Sequence, residues 1–211
     1  MYYNIHTHSF STNQQVIEIV NQYPKEINSN LPIYSVGIHP WYLNEIDFQK
    51  ELLLIEKHIQ SPGFKAVGEC GLDKRIDTPL ELQKKLCIPQ LLLAEKYKKP
   101  IILHCVAAYQ EIIQLKKQLK LTVPMIIHGF SKNAQVAESL IKNGFYLSFG
   151  KYLLLNADLA SVLKTIPPNQ LFLETDTIEQ SIFEVYAKAE EILGASIKQQ
   201  IEDNYYRVFN Q

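Results

Sequence analysis

Only three cysteines (Cys70, Cys87 and Cys105) occur among the 211 residues, and no two stand in a CxxC pair. A disulfide framework is therefore not expected, and a reducing, cytoplasmic setting is the simplest one. Charge of one sign is equally missing: 21 Lys and Arg stand against 22 Asp and Glu, a formal net charge of -1. That balance excludes a generally basic surface for coating nucleic acid and leaves room only for a local basic patch. The longest apolar-rich stretches, around 101–103 and 125–127, have the length of strands. A membrane span needs about 20 such residues, so no membrane association is expected. The opening MYYNIHTHSF has neither a basic nor an apolar leader region, and no signal peptide is expected. With 46% hydrophobic residues spread along the whole length, low-complexity and disordered readings fail as well. No GxGxxG or GxxxxGK[ST] follows the first expected strand, which removes support for dinucleotide-binding and P-loop folds.

What is present is alternation. Short β-rich runs at 2–6, 33–37, 64–68, 101–104, 125–128, 144–148 and 171–173 predict strands. Between and after them, periodic stretches predict helices over 12–22, 45–60, 79–98, 107–119, 133–142, 157–165, 181–193 and 196–209. Leu82, Leu86, Leu93 and Tyr97 illustrate the three- and four-residue steps, and Pro100 stops that helix before the next strand. Apolar strands alternating with helices imply a parallel sheet covered on both faces. Seven repeats point to an α/β fold of the TIM-like (β/α) barrel type. It is expected to be distorted, because no eighth strand is evident after residue 176. Residues 1–211 read as a single domain, with no linker or internal repeat.

In a barrel the reacting groups stand at the carboxyl ends of the strands. Here those ends carry His6 and His8, then Glu69, His104, His128 and Asp176, with His39 just past the second strand. Of the six histidines only His58 falls inside an expected helix. His6 and His8 are two apart, so a strand turns both rings to one side. Four imidazoles and two carboxylates suit borderline divalent ions such as Zn, Mn or Ni, and tolerate Mg. Six ligands exceed the need of one hydrolytic ion, so two divalent metal ions with Glu69 as their bridge are expected. In this arrangement His6, His8 and Asp176 hold one ion and His104 and His128 the other. Asp176 then accepts the proton of the attacking water as general base. Cys70 and Cys105 directly follow two of these ligands, and strand alternation turns them away into the core.

These residues sit in segments that resemble the TatD family of metal-dependent hydrolases almost end to end. The matching stretches are HTH at 6–8, GIHPW at 37–41 and VGECGLDK at 67–74. They continue with a helix bearing Gln83, Gln90, Leu93 and Ala94, KPIILH at 99–104, IIHGFS at 126–131, GFYLSFG at 144–150, LFLETD at 171–176 and NYYRVF at 204–209. The resemblance implies a TIM-like barrel with a divalent-metal site made of His6, His8, Glu69, His104, His128 and Asp176. It further implies phosphodiester hydrolysis, typically a Mg-dependent deoxyribonuclease acting on DNA ends. Three departures concern the substrate side. Val106 stands where the family usually has Arg, the segment after the fifth strand reads His128-Gly129-Phe130-Ser131 without Cys, and the loop after Asp176 is short.

Cations placed to meet a phosphate are Lys74 and Arg75 after the third strand, Lys132 after the fifth and Lys151 after the sixth. His39 resembles the family's GxHP histidine and is expected either to contact a phosphate or to make a structural hydrogen bond. Trp41, Tyr42 and Tyr109 are rings on which an unpaired base could stack, or a hydrophobic lid. Glu174, two before Asp176, points to the same side and is placed to orient a ligand histidine. The substrate is expected to be DNA or a small phosphoester, with no obligate protein partner evident. A small-molecule hydrolase using the same metals on a phosphoester, lactone or amide is the alternative, and a barrel without catalysis is the third reading.

Overall fold

Residues 16–22, expected within a helix, form a strand, and this is the eighth strand that the sequence does not disclose after residue 176. The run holds Val16, Ile17, Ile19 and Val20, whose branched side chains are stiff and pack well on a pleated surface. The same four positions also fit a helical stripe, which is why periodicity alone misassigns them.

The computed structural model describes residues 1–43 and 46–210; residue 45, the start of one expected helix, lies outside them. In chain order its strands and helices are β1 (Tyr2–Thr7), β2 (Val16–Gln22), β3 (Tyr34–Val36), α1 (Phe48–His58), β4 (Phe64–Asp73) and α2 (Leu80–Tyr97). Then come β5 (Ile101–Val106), α3 (Tyr109–Gln118), β6 (Met125–Ile127), α4 (Ala134–Lys142), β7 (Phe145–Phe149) and α5 (Lys151–Leu155). The last four are α6 (Leu159–Leu163), β8 (Leu171–Leu173), α7 (Ile182–Leu193) and α8 (Lys198–Phe209). Strand order in the sheet is the order of the chain. The other seven strands and seven of the expected helices lie where the sequence puts them, within a few residues, and α5 is an addition. No helix among the described residues is long and apolar enough to cross a membrane.

The chain forms two compact units, Met1–Val20 with Ile126–Gln211, and Asn21–Met125. In the first, β1 runs parallel to β2 with Tyr3 opposite Ile17, and β7 runs parallel to β8 with Ser148 opposite Phe172. Tyr3, Ile5, Phe145, Leu147, Phe149 and Phe172 are fully buried there, each contributing about 1.5–3 kcal/mol of transfer free energy. Helix α7 starts on a capping box between Ser181 and Glu184 and stops at Gly194 in the left-handed region. From α8, the buried Asn204 donates through Nδ2 to the carbonyls of Pro168 and Leu171, both at 2.8 Å, tying the last helix to the entry of β8.

In the second unit β4 is unusually long and pairs with both β3 and β5. Its register against β5 shifts between Val67 and Cys70: Val67 faces Ile101 and Cys70 faces Leu103, so β4 carries one extra residue. Such a bulge re-aims the side chain it holds, and here that side chain is Glu69. Gly71 permits the close approach, since a Cβ there would lie 1.9 Å from the His104 carbonyl oxygen and its φ is +148°. Helix α2 buries two glutamines, each of which clamps a strand end. Gln83 accepts from the Asp73 amide (2.7 Å) and donates to the Asp73 carbonyl (2.8 Å). Gln90 does the same for Ile38, at 2.8 and 3.2 Å. The cysteines are core residues, all three buried as thiols. A hydrogen bond with Cys87 and then burial push the Cys70 thiol well above its ordinary range.

At the far end of α2, Glu95 accepts from the amides of Thr122 (2.7 Å) and Val123 (3.2 Å) and from the Thr122 hydroxyl (2.7 Å), with Lys98 alongside. Burial works to raise this carboxyl, but those bonds outweigh it and hold its pKa at about 2, below the ordinary 4.5. A depressed carboxylate stabilises the fold above the unfolded-state value, and that stability is lost as pH falls from 4.5 towards 2. Glu95→Gln is expected to cost up to about 3 kcal/mol at pH 7 and much less at pH 3, read by denaturant unfolding at both values.

Candidate functional site

In the first unit, chemistry gathers where β1 and β8 end. An isolated parallel bridge joins Thr7 to Asp176. The Asp176 amide donates to the His6 carbonyl (3.0 Å) and the His8 amide to the Asp176 carbonyl (3.1 Å), so the carboxylate is inserted between the two histidines. Asp176 Oδ1 lies 3.6 Å from His6 Nε2 and 3.5 Å from His8 Nε2. These three side chains bring ligand-type atoms within 4.8 Å of one another. His6 is fully buried, whereas the side chains of His8 and Asp176 stay 25% and 29% exposed, so the cluster opens to solvent on their side. Asp176 adopts φ +56°, a left-handed conformation that Asp tolerates better than most residues. His128, just past β6, stacks its ring 4.3 Å from that of His6. Its Nδ1 meets Glu174 Oε1 at 3.3 Å, and the same oxygen accepts from the Gly129 amide at 2.7 Å. Glu174 thus holds His128 through the sharp turn that Gly129, at φ +56°, permits.

In the second unit, Glu69 Oε1 lies 2.9 Å from His104 Nδ1 and 3.1 Å from His39 Nε2, and these three form another group with ligand-like spacing. The two histidines play different parts. His39 Nδ1 accepts from the Trp41 amide at 3.1 Å, so in the neutral ring Nε2 carries the proton and donates to Glu69. His39 is therefore a donor and offers no lone pair to a cation. His104 Nε2 meets Asp73 Oδ2 at 3.1 Å. An ionised Asp73 there is an acceptor only, which puts the proton on Nε2 and turns the Nδ1 lone pair towards Glu69. Two acceptor atoms at 2.9 Å require a proton or a cation between them, and that donor set fits a divalent ion. Burial works to raise the Asp73 carboxyl. Hydrogen bonds from the Trp41 indole, the Arg75 amide and His104 outweigh it and hold Asp73 below the usual carboxylate range.

The residues singled out in the sequence thus fall into two groups. His6, His8, His128 and Asp176 come together in one unit, and Glu69, His104 and His39 in the other. The sequence reading puts His104 and His128 on one ion. Within its own unit each has other neighbours, Glu69 and Asp73 for His104, His6 and Glu174 for His128. Of the rim cations, Lys74 is paired with Glu111 at 2.6 Å, Arg75 is exposed, and Lys132 is half-buried beyond β6. Sequence reasoning misses Asp73, although it lies four residues beyond Glu69 and therefore on the same side of a continued strand. It also misses Asn21, whose Oδ1 accepts from the Glu69 amide at 2.7 Å and from Ser35 Oγ at 3.5 Å. That signal was hidden because β2 reads as a helix.

The family model described as TatD related DNase matches residues 2–210. An uncharacterized metal-dependent hydrolase of Bacillus subtilis, YabD, is 35% identical over 147 residues, covering 67% of this chain and 57% of its own. A protein of Erwinia tasmaniensis named 3'-5' ssDNA/RNA exonuclease TatD is 29% identical over 168 residues, covering 77% of this chain and 62% of its own. The chain therefore spans about three fifths of the length of these relatives. Among solved structures, the TatD homologue YjjV of Escherichia coli superposes with a TM-score of 0.84, covering 100% of this chain and 98% of that one at 24% identity. The fold is accordingly a TIM-like barrel. With its family segments matched from the first strand to the last helix, the chain belongs to the TatD family.

Proposed function

We propose that this protein is a divalent-metal-dependent phosphodiesterase, a deoxyribonuclease that acts on DNA ends. The observation that carries the reading is the pair of histidine–carboxylate clusters, each with ligand-like spacing, in a chain of the TatD family. His6, His8 and Asp176 would hold one ion, with His128 beside them, and Glu69 and His104 would hold the second. Divalent ions in these positions supply Lewis acidity and a water acidic enough to react near neutral pH. Asp176 is the general base, and its solvent-facing carboxylate is open to the attacking water. Arg75 and Lys132 are the donors for a phosphoryl oxygen, while His39 gives its Nε2 proton to Glu69. Lys74 is engaged by Glu111, so its part is to hold the loop after β4. The relative named as a 3'-5' ssDNA/RNA exonuclease supports attack on single strands from the 3′ end.

A small-molecule hydrolase is the second reading, favoured by Val106 in place of an arginine and by the short link of residues 177–180 between Asp176 and the cap of α7. A substrate panel separates the two. Single-stranded DNA labelled at either end is expected to shorten stepwise with Mg or Mn. Hydrolysis confined to chromogenic phosphodiesters or lactones would overturn the nuclease reading.

A further inference from the structure

Asp73 holds two groups of different character on a single oxygen. Oδ2 accepts from the Trp41 indole Nε1 at 2.9 Å and faces His104 Nε2 at 3.1 Å, while Oδ1 accepts from the Arg75 amide at 2.8 Å. The carboxylate is 3% exposed, and its backbone is held on both sides by Gln83. Trp41, by contrast, is 55% exposed, with its ring 5.8 Å from His104 and 4.9 Å from His39. A large ring left this open would ordinarily be mobile, yet its N–H is anchored to a buried anion.

We propose that Asp73 is a positioning residue: through Oδ2 it fixes the ring of His104 for its cation and locks the exposed Trp41 face beside it. The inference rests on the metal-site reading above and adds a coupling to it. The charged acceptor sets both the tautomer and the orientation of His104, and such partners typically change metal affinity by about 10–100-fold. The indole N–H is the second grip on the same oxygen, so loosening it frees the carboxylate that orients the histidine.

The test uses the full chain stripped by a chelator and titrated with Mn(II), followed by calorimetry. No substrate is involved, so failure of the nuclease reading leaves the result legible. Trp41 is the only tryptophan, and its emission reports binding beside His104 directly. Wild type is expected to bind with a change in Trp41 emission. Asp73→Asn is expected to bind about 10–100-fold more weakly at one site with an unchanged thermal midpoint, a split that a purely structural role would not produce. Affinity within twofold of wild type in that variant would overturn the inference alone, whereas no Mn(II) binding by wild type would overturn the metal site beneath it. Should Asp73→Asn fail to melt cooperatively, Trp41→Phe carries the test by calorimetry. A several-fold loss of affinity is expected, and an unchanged affinity would overturn the coupling.

Discussion

Replacing Asp176 by Asn is expected to lower turnover by about a thousandfold while leaving the fold intact. The carboxylate lies 3.6 and 3.5 Å from the Nε2 atoms of His6 and His8, so in the proposed mechanism the amide removes both a charged ligand and the proton acceptor. General-base catalysis alone is worth about 10²–10⁴-fold. The backbone makes the substitution a clean one. Asp176 sits at φ +56°, and Asn tolerates that region as well as Asp does, whereas most other side chains are strained there. Its amide and carbonyl keep their bonds to His6 and His8 in either case. Asp176→Ala is therefore expected to lose the same activity and about 1 kcal/mol of stability besides. Steady-state turnover of a chromogenic phosphodiester or an oligonucleotide, paired with thermal melts, checks both. Near wild-type turnover in Asp176→Asn would remove Asp176 from the chemistry.

Glu69→Gln is the second large effect. The bulge in β4 and the Asn21 acceptor on its amide aim Glu69 so that one oxygen meets His39 and His104 together. A glutamine keeps the shape, but the one atom that meets both rings is then either a carbonyl oxygen, which accepts from His39 Nε2, or an amide nitrogen, which donates to the His104 lone pair, and not both. One of the two hydrogen bonds is thus lost, at a cost of about 1 kcal/mol of stability. The negative charge between two imidazoles is lost, and with it the attraction for a cation. Several kcal/mol of charge stabilisation correspond to about a thousandfold in turnover, with metal binding weakened in parallel. A variant that kept both its metal affinity and its turnover would show that Glu69 only braces the two histidines.

Much of the candidate site is legible because strand geometry is simple. A step of two puts His6 and His8 on one side, and the step from Glu174 to Asp176 does likewise, whatever the rest of the chain does. The strand ends could be placed because proline and glycine punctuate the apolar runs. Three things were not legible, each for a physical reason. Val16, Ile17, Ile19 and Val20 satisfy helical and strand spacing alike, so β2 and its Asn21 were hidden. The extra residue in β4 is a property of its pairing with β5, not of its own residues. The strand therefore continues to Asp73, five residues beyond its expected end. The division of labour between His39 and His104 depends on which ring nitrogen faces the Trp41 amide and which faces Asp73, contacts that spacing does not encode.

The central claim is that the histidine–carboxylate clusters hold divalent ions, and metal stoichiometry tests it most directly. Elemental analysis of the purified chain after equilibration with Mn(II) and removal of free ion is expected to give close to two ions per chain, falling towards one in Asp176→Asn. A wild-type chain that retains no ion at any concentration of Mn, Zn, Ni or Mg would contradict the account.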